Sequence, residues 1–255
     1  MDIWIRTLGS VTLVSLVSLV GAVALAREKE WLDRITFHLV SLAAGVLLGG
    51  AVVHLIPHAV EQLGPGPAFP LWFLSGFLGF YLLERYLWTH HHGAPGEDDH
   101  GSGHSHTPPV VPMILIGDTV HNLIDGMLIA AAFTADPSLG VITVVGVIAH
   151  EIPQEIGDFG VLVHAGLTPR RALFFNFLTA TAAIVGAVIA LTLGSRIDGF
   201  ASALVAIAAG NFLYIAAADL IPELHRSRGP GSGFADHFIL ISGVGLMLLL
   251  RMWLG

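Results

Sequence analysis

The stretch His150-Glu151-Ile152-Pro153-Gln154-Glu155-Ile156-Gly157-Asp158 lies inside an apolar run spanning residues 138–163. A second stretch, Asp118-Thr119-Val120-His121-Asn122-Leu123-Ile124-Asp125-Gly126, lies inside the preceding run, residues 110–133. About 20 apolar residues are what an α-helix needs to cross the roughly 30 Å hydrocarbon core of a bilayer. On a helix, Asp118, His121, Asn122 and Asp125 are spaced i, i+3, i+4, i+7 and share one face. His150, Gln154 and Asp158 form an i, i+4, i+8 row, with Glu151 and Glu155 on the adjacent one. Pro153 has no amide hydrogen to give, which frees the carbonyl of Ala149 beside them.

Magnitudes decide what this polar seam is for. A carboxylate near the centre of a transmembrane helix costs roughly 2.5–3.5 kcal/mol on insertion scales, so Asp125, Glu151 and Glu155 together cost about 8–10 kcal/mol. Hydrogen bonds between helices in membranes average only about 0.6 kcal/mol, too little to offset that. A divalent cation does offset it, because it holds carboxylates ionised and imidazoles neutral at the same time. The set offers imidazole, carboxylate and carboxamide but no thiolate. That mixture favours zinc or iron(II) and admits manganese and cadmium. It also exceeds the four ligands of one tetrahedral zinc, so two adjacent metals sharing Glu151 fit it.

Composition agrees with a membrane setting. The chain has 255 residues, 54% hydrophobic and 12% charged, with 30 glycines; a soluble domain carries about 25% charged residues. No cysteine is present, which excludes disulfide scaffolds and thiolate metal sites. Lys+Arg 11 against Asp+Glu 19 leaves a net charge of −8, which argues against nucleic acid as a partner. The expected fold class is an all-α integral membrane protein, one transmembrane transporter domain over residues 1–255. Eight spans are expected, at 3–26, 36–60, 70–89, 110–133, 138–163, 171–194, 199–223 and 234–254. Ala24-Leu25-Ala26 resembles a signal-peptide cleavage site, but the apolar stretch before it is longer than the usual 7–15 residues and reads as a helix.

Basic residues set the orientation. With the N-terminus outside, Arg27, Lys29, Arg34, Arg85, Arg170, Arg171, Arg226 and Arg228 fall at inner ends, against Arg6, Arg196 and Arg251 at outer ends. Both termini are then outside a cell (inner) membrane. The segment 90–109 is cytoplasmic, and its glycines, prolines and charges predict disorder. It carries His90, His91, His92, His100, His104 and His106, a set suited to holding metal loosely.

The second and seventh spans share a pattern: His54-Leu55-Ile56-Pro57-His58 and Asp219-Leu220-Ile221-Pro222-Glu223. The topology runs them in opposite directions, three helices before the central pair and three after it. That is the mark of an inverted 3+2+3 repeat, an arrangement typical of transporters. His54 and His58 then lie toward the outer face, Asp219 and Glu223 toward the inner one. With Asp118 and Asp158 they outline a path through the central pair.

These residues carry a resemblance. His121-Asn122-Leu123-Ile124-Asp125-Gly126 resembles the fourth-helix motif of the ZIP (Zrt/Irt-like) divalent metal transporters. The stretch from His150 to Phe159 resembles the fifth-helix motif of that family's histidine-rich subfamily. The resemblance implies uptake of divalent metal into the cytoplasm through a binuclear site in helices four and five. Its implied ligands are His121, Asn122, Asp125, His150, Glu151, Gln154 and Glu155, with His54 at the entrance and Asn176 at the edge of the second metal. It also implies a homodimer, and motion of the central helices against a scaffold. Two departures stand out: Gln154 replaces a histidine, and Asp125 is one methylene shorter than the glutamate of some members. Two alternatives compete. An intramembrane zinc hydrolase would use His150-Glu151, but the metalloprotease motif needs a second histidine where Gln154 stands. The other is a membrane protein that binds metal without moving it.

Overall fold

The structure is a computed structural model that describes residues 3–24, 29–91, 110–194, 196–226 and 233–254. Among those residues all regular elements are helical, and they form eight rods. α1 (Ile3–Val17) continues through a 3-10 turn (Ser18–Val20) into Gly21–Ala24. α2 joins Lys29–Gly49, a π-helical segment Gly50–Leu55 and Ile56–Leu63. α3 is Ala68–His91, α4 is Val110–Ala135 and α5 is Pro137–His164. α6 joins Pro169–Ala180 to Ala182–Gly194. α7 joins Phe200–Tyr214, a second π segment Ile215–Leu220 and Ile221–Arg226, and α8 is Gly233–Leu254.

Seven of these rods are long and apolar enough to cross a membrane. The exception is α3, whose apolar part, Ala68–Leu83, is shorter. Glu84 and Arg85 end its apolar run, yet the helix continues to His91. Its 24 residues at 1.5 Å each span roughly 36 Å, enough to cross a bilayer core with one polar end. His90 and His91, expected in the loop, are the last residues of α3; residues 92–109 lie outside the described residues, as do Leu25 and Ala26 of the cleavage-like stretch.

The two proline patterns have the same backbone outcome. A ring at Pro57 or Pro222 removes one rung of the hydrogen-bond ladder, and the helix upstream widens by one residue per turn to absorb the loss. Ile56 N–H accordingly bonds the carbonyl of Ala51, five residues back, and Ile221 N–H bonds that of Ala216.

Glycines set which rods touch. A methyl group at Gly45 of α2 would collide with the Leu240 carbonyl of α8, and one at Gly243 would crowd the Leu42 carbonyl. At Gly210 of α7 the obstacle is the Phe73 carbonyl of α3, and at Gly76 the Ile207 carbonyl. Gly45 and Gly210 each stand twelve residues before their proline, so the α2–α8 and α7–α3 contacts correspond position by position. Gly126 and Gly186 bring α4 and α6 equally close, backbone to backbone. Bare backbone contact of this kind is how helices associate in lipid, where apolar burial supplies no preference for protein over acyl chain.

The outcome is a bundle in which α2 pairs with α8 and α3 with α7, while α1 and α6 pack behind α4 and α5. α5 leans on α2, and α4 on α7. The main apolar core, with Leu47, Leu128, Ile129, Val205 and Phe212, runs through the middle.

Candidate metal centre

α4 and α5 are consecutive and joined by one residue. Asp136 ends the turn and caps α5, its Oδ1 accepting from the Ser138 (2.7 Å) and Leu139 (3.2 Å) backbone N–H groups, with Pro137 in the first turn. The two polar faces read from the sequence meet across this hairpin. His121, Asp125, His150 and Glu151 are all buried, and one ligand atom of each lies within 4.8 Å of the others. His150 Nε2 is 3.1 Å from Asp125 Oδ2 and 3.8 Å from Glu151 Oε1; His121 Nε2 is 3.2 Å from Glu151 Oε1 and 3.6 Å from Asp125 Oδ2.

The ring nitrogens show what the pocket is built to hold. His150 Nδ1–H donates to the Gly146 carbonyl at 3.0 Å, which leaves the lone pair of Nε2 turned into the cluster. The Nε2 atoms of His121 and His150 face each other at 3.1 Å. Both Asp125 oxygens, Oε1 of Glu151, both Glu155 oxygens and Oδ1 of Asn122 are buried without a hydrogen-bond partner. A buried acceptor left unpaired costs about 1–3 kcal/mol, more when charged. Lone pairs from both helices thus converge on one volume, the donor geometry of a cation site.

A second group lies beside the first: Asp118, Glu151 and Glu155, all buried. Glu151 belongs to both groups. Asp118, expected along the path, stands beside these two carboxylates. It also accepts from Asn122 Nδ2 at 2.8 Å through Oδ1, and its own carbonyl accepts from the same nitrogen at 3.2 Å. Held this way, Asn122 presents its unpartnered oxygen. Asn176 of α6 donates from Nδ2 to the Glu155 carbonyl at 3.2 Å. Gln154 and Asp158 are half-buried on α5.

The remaining sequence candidates lie farther away. His54, 1% exposed, donates from Nε2 to the Met247 carbonyl of α8 at 2.8 Å. With half-buried His58 it lines a cavity of about 200 Å³ at the α2 end away from Lys29. Asp219 is half-buried in the π segment of α7. Glu223 lies in the helix after it, and His90 and His91 close α3. His92, His100, His104 and His106 lie outside the described residues. Sequence reasoning passed over Asp136 and Arg251, which line the same cavity as His54. Arg251 counted only toward topology, although an arginine one turn from the end of an apolar helix was a signal available to use. It also passed over two aromatic supports: Phe80 of α3 meets His121 edge-on at 5.3 Å between ring centroids, and Phe212 of α7 meets His150 at 6.2 Å.

Comparison with known proteins bears on this site. The family profile described as "ZIP Zinc transporter" matches residues 1–112 and 107–251. Zinc transporter ZIP4 of Homo sapiens is 32% identical over 84% of this chain and 43% of its own length. Zinc transporter SLC39A7 of Rattus norvegicus is 28% identical over 83% of this chain and 64% of its own. Zinc transporter foi of Drosophila melanogaster is 38% identical over 59% of this chain and 22% of its own. The chain thus spans less than two thirds of each of these relatives.

Proposed function

From the premise that the chain belongs to the ZIP zinc transporter family, we propose that it carries divalent cations, zinc above all, across a membrane into the cytoplasm through a binuclear centre between α4 and α5. The observation that carries this reading is the set of buried, unpartnered carboxylate and carboxamide oxygens facing two histidines across one hairpin. His121, Asp125, His150 and Glu151 hold the first ion. Asn122, Asp118, Glu151 and Glu155 hold the second, with Gln154 and Asn176 at its edge. Glu151 bridges them. Nitrogen and oxygen ligands without sulfur bind zinc well and leave iron(II), manganese and cadmium as further cargo.

Metal enters at the cavity of His54 and His58 and exits past Asp158, Asp219 and Glu223 toward the histidine-bearing segment 90–109. Both termini lie outside a cell membrane, and the protein acts as a homodimer. The matched π segments and glycine contacts support an inverted repeat of α1–α3 and α6–α8 about the central pair. Relatives across the family are named as transporters, and Gln154 replaces the second histidine a zinc hydrolase needs, so no catalytic reaction is assigned.

Zinc uptake into proteoliposomes tests the proposal, with iron(II), manganese and cadmium as competitors. Saturable uptake blocked by zinc competition is expected. Protein that binds zinc at the hairpin yet accumulates none in the vesicle would reduce it to a non-translocating binder.

A further inference from the structure

Outside the metal centre, a cavity of about 340 Å³ opens between α3, α4 and α7. Its size lies in the roughly 300–1,000 Å³ range of small-molecule sites. The walls are mainly apolar, with Gly79 and Phe80 from α3, Ile124 and Met127 from α4 and Ile207 from α7. All three rods belong to the membrane-crossing bundle, so a molecule reaching this space arrives from lipid.

Two wall residues are polar: Ser75, whose hydroxyl donates to the Trp72 carbonyl, and one that is unpaired. Asn211 of α7 lines the cavity, is 1% exposed, and neither its Nδ2 nor its Oδ1 has a hydrogen-bond partner. It sits eleven residues into α7, about 16 Å from that end at 1.5 Å per residue, and no protein group among the described residues pairs with it. An unpaired carboxamide in such a setting costs several kcal/mol. Its complement is a group offering one acceptor and one donor side by side. A carboxylate fails, because its charge keeps it at the lipid surface. A primary amide fits: its carbonyl accepts from Nδ2 while its N–H donates to Oδ1, and it stays neutral at every pH.

We propose that the α3–α4–α7 cavity is a binding site for a neutral, lipid-dissolved primary amide on an apolar body, paired through its amide with Asn211. The site is coupled to the metal centre through Phe80, which lines the cavity and makes a T-shaped ring contact with His121 at 5.3 Å between centroids. An occupant wedges α4 against α3 and α7 and slows its movement. Occupancy is independent of the transport reading; the effect on uptake rests on it.

The test uses the full chain in lipid nanodiscs and a decanamide carrying a diazirine, photolysed and mapped by peptide mass spectrometry, with unlabelled decanamide and decane as competitors. Labelling of α3, α4 or α7 is expected, and decanamide should compete about tenfold better than decane, the worth of two net hydrogen bonds. Asn211→Leu should erase that tenfold difference. Gly79→Leu should abolish labelling altogether; Gly79 lines the cavity and a Cβ there meets nothing within 4 Å, so the new side chain has open space to start into. Equal competition by decane, or labelling unchanged in both variants, overturns the site. In proteoliposomes decanamide should slow zinc uptake by the wild type and not by Gly79→Leu. Labelling with unaffected uptake overturns the coupling through Phe80, whereas labelling of protein that moves no zinc under any condition refutes the transport reading and leaves the site standing.

Discussion

The hairpin of α4 and α5 has two flanks, and they are packed differently. On the α5 side, Ile142 meets Val46 of α2 and Met247 of α8 in an apolar cluster, Met247 lends its carbonyl to His54, and the space left is the polar cavity of about 200 Å³ that His54 and Arg251 line. On the α4 side, the equivalent junction with α3 and α7 encloses the cavity of about 340 Å³. Both flanks share close glycine contacts and a π segment, and they differ in the side chains that line the space left between the rods. The hairpin thus has one edge seated on an apolar cluster beside a smaller polar cavity and one loose edge over the larger, mainly apolar cavity, with the candidate metal ligands between them.

Several substitutions probe this contrast. The largest effect belongs to the residue that both ligand groups share. Glu151→Ala should abolish uptake, whereas Asp118→Ala, which touches one group, should lower metal affinity by about 10–100-fold and leave one ion bound. Metal content by plasma mass spectrometry, read beside uptake, separates them; equal loss in both would mean that Glu151 is not shared. Next, the seated flank should be costly to hollow out. Met247→Ala should destabilise the protein by roughly 2–5 kcal/mol, seen as a lower melting temperature, while Gly79→Leu on the loose flank should leave it unchanged or raised. A melting temperature insensitive to Met247→Ala would erase the distinction between the flanks.

The smallest effect concerns Gln154. Gln154→His adds an imidazole to α5 and should tighten zinc binding by about tenfold, or 1.4 kcal/mol. Ligands must shed protons to bind metal, so affinity should fall as pH falls, and more steeply with the added imidazole. Calorimetry in buffers of different protonation enthalpy reads the proton release. An unchanged affinity would mean that position 154 points away from the ions.

Much of this was legible in the sequence because helical spacing is local. The i, i+3, i+4, i+7 face of α4 and the His150 row of α5 follow from 3.6 residues per turn, and apolar length locates the rods that carry them. What was not legible depends on how one helix stands in height against another. Asp118 joins Glu151 and Glu155 only because α4 and α5 settle at one relative height. The bond from His54 to the Met247 carbonyl joins residues 193 positions apart. Pro57 and Pro222 announced a disturbed ladder, but whether a helix answers with a kink or a π segment depends on its neighbours. The third span, by contrast, was legible to within two residues at each end, 70–89 against Ala68–His91, although its apolar part ends at Leu83.

The single-residue link at Asp136 has a mechanical meaning. With α4 ending at Ala135 and α5 starting at Pro137, the two cannot slide past each other at that end, and a capped first turn resists unwinding there. On the transport reading proposed above, both candidate ligand sets would make the journey together, as jaws riveted at one end, and an ion would be released by a change in what surrounds the grip and not by the grip coming apart.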